Sequence, residues 1–130
     1  MKLLAQRFAL VLVATAALLA VAVPMFAHHG TAAFDTSKMV TVKGTVTEFV
    51  FLNPHCQVYF EVKNEKGETE KWQGELTAPN KLARAGWTKK TLQPGDQIEV
   101  SGFRVASGAN TLWLRKVVDA KGESLPLFED

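Results

Sequence analysis

Residues 39–52 read MVTVKGTVTEFVFL, and their apolar pattern decides the fold class. Val40, Val42 and Val46 alternate with Thr41, Lys43, Thr45 and Thr47, the period-2 signature of a strand with one face buried. After Glu48 the apolar set moves to Phe49 and Phe51. A change of phase inside one long strand requires an extra residue, so a β-bulge is expected near Glu48, with Gly44 as a second bending point. The strand over 39–52 should therefore be strongly curved.

Working outward, Val58, Phe60 and Val62 alternate with polar neighbours to give a second strand, and residues 64–67, NEKG, supply a hairpin turn. A third strand is expected over about 69–76, with Trp72 and Leu76 on its apolar side. The period then changes. Thr77 and Pro79 are start signals, Leu82 and Ala85 share a face, and Gly86 can take the left-handed conformation that ends a helix, so a short helix is predicted over about 78–85. Residues 92–96, LQPGD, form a turn. A fourth strand covers roughly 97–105 with Ile98 and Val100 inward, and residues 107–110 turn the chain into a fifth over 112–118. Beyond Asp119 come one more turn, at Lys121 and Gly122, and an apolar tail through Leu125, Leu127 and Phe128. Five strands, the first curved, with one helix between the third and fourth, predict an all-β fold: a small five-stranded OB-like β-barrel. Closure removes the edges an open sheet would expose. An immunoglobulin-like sandwich is the alternative, but it wants about seven strands and no helix.

Upstream, the composition changes. Lys2 and Arg7 precede an apolar run from Phe8 to Val23, followed by Pro24, Met25, Phe26 and Ala27. This is the layout of a signal peptide, and the run is shorter than the roughly 20 residues of a membrane-spanning helix. The expected organisation is a signal peptide at 1–27, an N-terminal segment at 28–38 and the barrel at 39–130. Cleavage after Ala27 leaves Met25 where alanine is usual; the residues 20–22, AVA, offer an alternative site. The expected location is the periplasm, or secretion, with no lasting membrane anchor.

Removing Lys2 and Arg7 from the fifteen basic residues leaves thirteen, equal to the thirteen acidic ones. A domain so balanced has no field for gathering phosphate, which argues against nucleic acid as a partner. Cys56 is the only cysteine, so no internal disulfide can form.

The candidate chemistry lies in three histidines, His28, His29 and His55. With cleavage after Ala27, His28 opens the chain, and its amine and ring can chelate a metal together. His29 or His55 could complete a plane of nitrogen ligands, the preference of Cu(II). The plainer alternative is a solvated terminus with incidental metal affinity. Asn53, Pro54 and His55 open the connection between the first two strands. There Pro54 halts the ladder and Asn53 can stabilise a turn, so His55 is either a turn residue or a ligand. Cys56 could offer a soft sulfur, but strand neighbours point to opposite faces, which favours a buried thiol. Glu75, at the end of the third strand, is an acid that could pair with His55 or with metal-bound water; Asp35 is the other acid of interest. Trp72 and Trp87 read as core residues, whereas Trp113, out of phase with Leu112 and Leu114, reads as an exposed aromatic contact. Lys89 and Lys90 form too short a basic run to mean more than solvation. No Ser, His and Asp set, phosphate loop or paired zinc-type cysteines are found, and no catalytic residues are assigned.

In order and spacing, the chain resembles a family of small exported bacterial proteins known as a domain of unknown function (DUF6152-like). The resemblance rests on His28, His29, Phe34 and Asp35; Gly44 and Val46; Asn53, Pro54 and His55; Trp72 and Glu75; Pro79, Leu82, Arg84, Gly86 and Trp87; and Leu92, Gly95, Asp96 and Gly102. Gly30 stands where serine is common in that family, and Cys56 where an apolar residue is usual. What the resemblance implies is an exported β-barrel, without an activity or substrate.

Three expectations for function follow: copper binding through His28, His29 and His55; a non-enzymatic module that holds a small molecule or envelope protein, with Asn53, Glu75 and Trp113 as ligand contacts; and, as a third, a copper oxidase.

Overall fold

A computed structural model describes Met1 and residues 33–127. The elements in chain order are β1 (Phe34–Val50), β2 (Gln57–Lys63), β3 (Thr69–Glu75), α1 (Pro79–Arg84), β4 (Gln97–Val105), β5 (Thr111–Val118) and β6 (Ser124–Leu125). The expected five strands and single helix are all present among the described residues. The count of strands is corrected to six, because the turn at Lys121 and Gly122 folds Ser124 and Leu125 back onto Val118 and Val117. The first strand also begins at Phe34, five residues earlier than the alternation starting at Met39 signals. Asp35, Thr36, Ser37 and Lys38 are polar and exposed, so they carry no periodicity to read.

The phase change in β1 is a bulge. Val46 pairs with Phe60 and Glu48 with Tyr59, which leaves Thr47 as the extra residue. Before it the even positions face inward, and Val46 is buried to 1% exposure. Gly44 lies where β1 crosses closest to β2, since a Cβ there would sit 2.7 Å from both the Glu61 carbonyl oxygen and the Phe60 ring. No larger residue fits that crossing without separating the strands.

The pairings run in a circuit, β1 to β2 to β3 to β5 to β4 and back to β1. All are antiparallel except the link that completes it, in which β3 and β5 run parallel through Gln73–Thr111, Gly74–Leu112 and Glu75–Trp113. One row can be followed right round: Met39 pairs with Phe103, Phe103 with Trp113, Trp113 with Glu75, Glu75 with Gln57, and Gln57 with Val50. The row returns to β1 eleven residues further along than it left. A sheet that meets itself with such an offset has tilted strands.

The interior holds Val58, Phe60, Trp72, Leu76, Ile98, Val100, Leu112, Leu114 and Val117, each at 7% exposure or less. Burying each of the larger of these is worth roughly 1.5–3 kcal/mol. The helix α1 contributes Leu82 to this core. Gly86 follows it with φ +93°, and the next residue, Trp87, is buried and donates its indole N–H to the Pro126 carbonyl at 2.7 Å. That bond ties the end of the chain to the helix, and Leu125 and Leu127 pack against the core. No helix of the described residues is long and apolar enough to cross a membrane.

Candidate functional site

The connection from β1 to β2 carries Asn53, Pro54 and His55; Asn53 and Pro54 are exposed, and their peptide bond is cis. At its end the strand ladder resumes. The Cys56 N–H donates to the Thr77 carbonyl at 3.0 Å, and the Leu76 N–H donates to the Cys56 carbonyl at 2.9 Å. Cys56 is thereby fixed and turns inward, fully buried. His55, one residue earlier, is half-exposed and turns toward Glu75 instead. Burial pushes the Cys56 thiol up to about 11, against an opposing backbone hydrogen bond from the Leu52 region. A soft ligand at this position would first have to leave the core and lose a proton, and the thiol is buried, as the strand alternation favours.

His55 has a partner. Its Nδ1 lies 2.5 Å from the Glu75 Oε1, with the two side chains 40% and 23% exposed. Glu75 is the last residue of β3, paired on one side with Gln57 and on the other with Trp113. Cross-strand partners stand on the same face, so Gln57, Glu75 and Trp113 form a row on the outside of the sheet beside His55. An amide contact from Gln73 Nε2 to Gln57 Oε1 at 2.9 Å continues this polar surface.

Trp113 is half-buried rather than exposed. The Phe34 and Phe103 rings pack on it at centroid distances of 6.1 and 5.9 Å, and the Arg115 guanidinium lies 5.0 Å from its ring centroid. Reading Trp113 as out of phase with the core is therefore right, but its surface is covered by neighbours that local sequence does not reveal. Arg115 could have been found, since two residues apart on a strand means one face. Phe34 could not, because it lies 79 positions away and reaches Trp113 only through the fold. Met39, 51% exposed and paired with Phe103, extends the patch.

Asp35 is spent locally. It accepts from the Ser37 hydroxyl at 2.5 Å and from the Ser37 N–H at 3.0 Å, and these hydrogen bonds, the side-chain one foremost, hold its carboxyl below the ordinary carboxylate range. His28 and His29 lie outside the described residues. Among the described residues, no three His, Cys, Asp or Glu side chains come together as a metal-binding group. The structure thus joins His55, Glu75 and Trp113 and leaves Asn53 exposed at the rim.

The family described as "Family of unknown function (DUF6152)" matches residues 15–113, about three quarters of the chain. The chain belongs to this family. No curated protein matches it. Among solved structures, this member of the family is similar to TiaS in complex with tRNA and ATP, at 23% identity and a TM-score of 0.44 over 66% of this chain and 19% of that one. A tRNA fluorescent labeling enzyme matches at 21% identity and a TM-score of 0.42, over 63% of this chain and 18% of the enzyme. The chain spans about a fifth of the length of these proteins.

Proposed function

We propose that this family member is an exported, OB-like β-barrel protein that binds a metal ion, copper, through His55 and the histidines of its N-terminal segment, His28 and His29. The OB-like reading is supported by the strand circuit 1-2-3-5-4, the parallel link between β3 and β5, and the helix between β3 and β4. Export with a signal peptide at 1–27 is supported by the charged start, short apolar run and small residues already described.

The observation that carries the metal reading is the packing of Phe34 on Trp113, one strand away from the Glu75 that holds His55. Phe34, at the start of β1, pairs with Val105 and lays its ring on Trp113, the strand partner of the Glu75 that contacts His55. His29 is five residues before Phe34 and His28 six. Extended chain spans at most about 3.3–3.6 Å per residue, so roughly 17–22 Å is available, against about 5 Å for each strand spacing to be crossed. Reach is not the obstacle. Three imidazoles and a free amine would make a nitrogen-rich site of the kind Cu(II) prefers. Holding the ion, rather than catalysis, is the role that these residues support.

The test is Cu(II) titration of protein purified with His28 as its first residue, confirmed by mass, against protein carrying one extra leading residue. Tight binding by the first and a loss of tenfold or more in the second is expected. Equal affinities would remove the amine from the site, and absence of binding in both would end the metal reading.

A second reading, a non-enzymatic module for a small molecule or envelope partner, is favoured by the Trp113 patch with Phe34, Phe103, Arg115 and the exposed Met39. A His28→Ala, His55→Ala double variant that keeps wild-type partner capture would favour it.

A further inference from the structure

We infer that Glu75 is a positioning residue that assigns Nε2 as the ligating nitrogen of His55, an inference that rests on the metal reading above for its use but not for its geometry. Both backbones are held by hydrogen bonds of their own, apart from the side-chain contact. Cys56 is bonded to Leu76 and Thr77 on either side of its peptide, and Glu75 is paired with both Gln57 and Trp113. What remains free at His55 is the rotation of a half-exposed ring. The 2.5 Å contact between Nδ1 and Oε1 removes that freedom.

It also fixes the proton. A carboxylate can only accept, so a neutral imidazole facing it donates Nδ1–H and carries its lone pair on Nε2. A ring held in one tautomer and one orientation needs no reorganisation when an ion arrives. Carboxylates behind metal-bound histidines act in this way. Glu75 is thus excluded from ligation through Oε1 and contributes through the ring.

The substitution Glu75→Gln keeps the shape and removes the charge, and Glu75→Ala removes the partner altogether. Two readouts separate the role from the use. In the metal-free protein, long-range proton–nitrogen correlation spectra of the histidine rings, with His55→Gln to identify the signal, should show the Nδ1–H tautomer in the wild type. Glu75→Ala should lose it in favour of Nε2–H, whereas Glu75→Gln, whose amide oxygen still accepts, should keep it. With Cu(II), Glu75→Gln should bind about 10- to 100-fold more weakly than the wild type. Folding of each variant is checked by the dispersion of the backbone amide spectrum. An unchanged tautomer in folded Glu75→Ala, or a wild-type ring already protonated on Nε2, would overturn the inference. A wild type that holds the Nδ1–H tautomer and takes up no copper would support the positioning role and overturn the metal reading instead.

Discussion

Replacing Gly102 by alanine would test how closely the two strands that carry Phe103 and Trp113 must approach. A Cβ at Gly102 would lie 2.2 Å from the Trp113 carbonyl oxygen, 2.8 Å from its carbon and 3.0 Å from the Leu114 Cα. An ordinary contact begins near 3.4 Å, so β5 would have to withdraw by about 1.2 Å. All three atoms are backbone, and both strands are held in ladders on their far sides, β4 by β1 and β5 by β3. Side-chain rotation cannot relieve the overlap. Overpacking costs roughly 1–3 kcal/mol where side chains can adjust, and separating the strands adds about 1 kcal/mol for each hydrogen bond lost. Alanine regains about 0.4–1 kcal/mol by restricting the unfolded chain. A net loss of about 3 kcal/mol is expected, which for a domain of this size lowers Tm by roughly 12–24 °C. Gly74→Ala is the control. Its Cβ would meet the Leu114 Cδ1 at 2.5 Å, the Leu114 Cγ at 2.9 Å and the Val58 Cγ1 at 3.0 Å, all side-chain atoms that can shift where backbone cannot, so a smaller loss of about 1–2 kcal/mol is expected. Urea unfolding followed by tryptophan fluorescence measures both. Destabilisation of Gly102→Ala below 1 kcal/mol, or below that of Gly74→Ala, would show that β4 and β5 are not packed as described.

Two further outcomes follow from buried groups. The Cys56 thiol is raised from its ordinary 9.0 to about 11 by burial, because the core accepts only its neutral form. The unfolded chain loses this proton first, so the stability it gives is complete below pH 9 and is lost as the pH rises towards 11, by about 3 kcal/mol. The stability advantage of the wild type over Cys56→Ala should shrink by that amount across this window in urea titrations, and a constant difference would place the thiol in contact with water. Trp87→Phe removes the indole donor to the Pro126 carbonyl and should cost about 1–2 kcal/mol, with faster proteolytic loss of the tail after Asp119. Wild-type stability and cleavage rate would mean the tail is held by packing alone.

The spacing of apolar residues gave β2, β3, α1, β4 and β5 nearly to the residue, and the slip from Val46 to Phe49 gave the bulge. Those features are local: a pleat or a helical turn relates a residue to neighbours two to four positions away, and the sequence records that relation directly. Residues 34–38 were not legible as strand because their side chains face water, and β6 is too short to show a period. At the site, His55 and Glu75 stood out by residue type and by their places at the ends of elements, but their contact is a product of the β2–β3 register. The covering of Trp113 by Phe34 had no local sign at all.

Sequence alone therefore determined β2 to β5, the inner part of β1, their inward faces and the turns between them, together with the histidines and acids available for chemistry. Tertiary structure alone decided which of these meet, through the parallel pairing of β3 with β5 that sets Glu75 beside Trp113 and through the packing of the Phe34 ring of β1 onto Trp113. The physical reason is that periodicity is fixed by backbone geometry within a few residues, whereas closure of a sheet depends on the register of every strand at once.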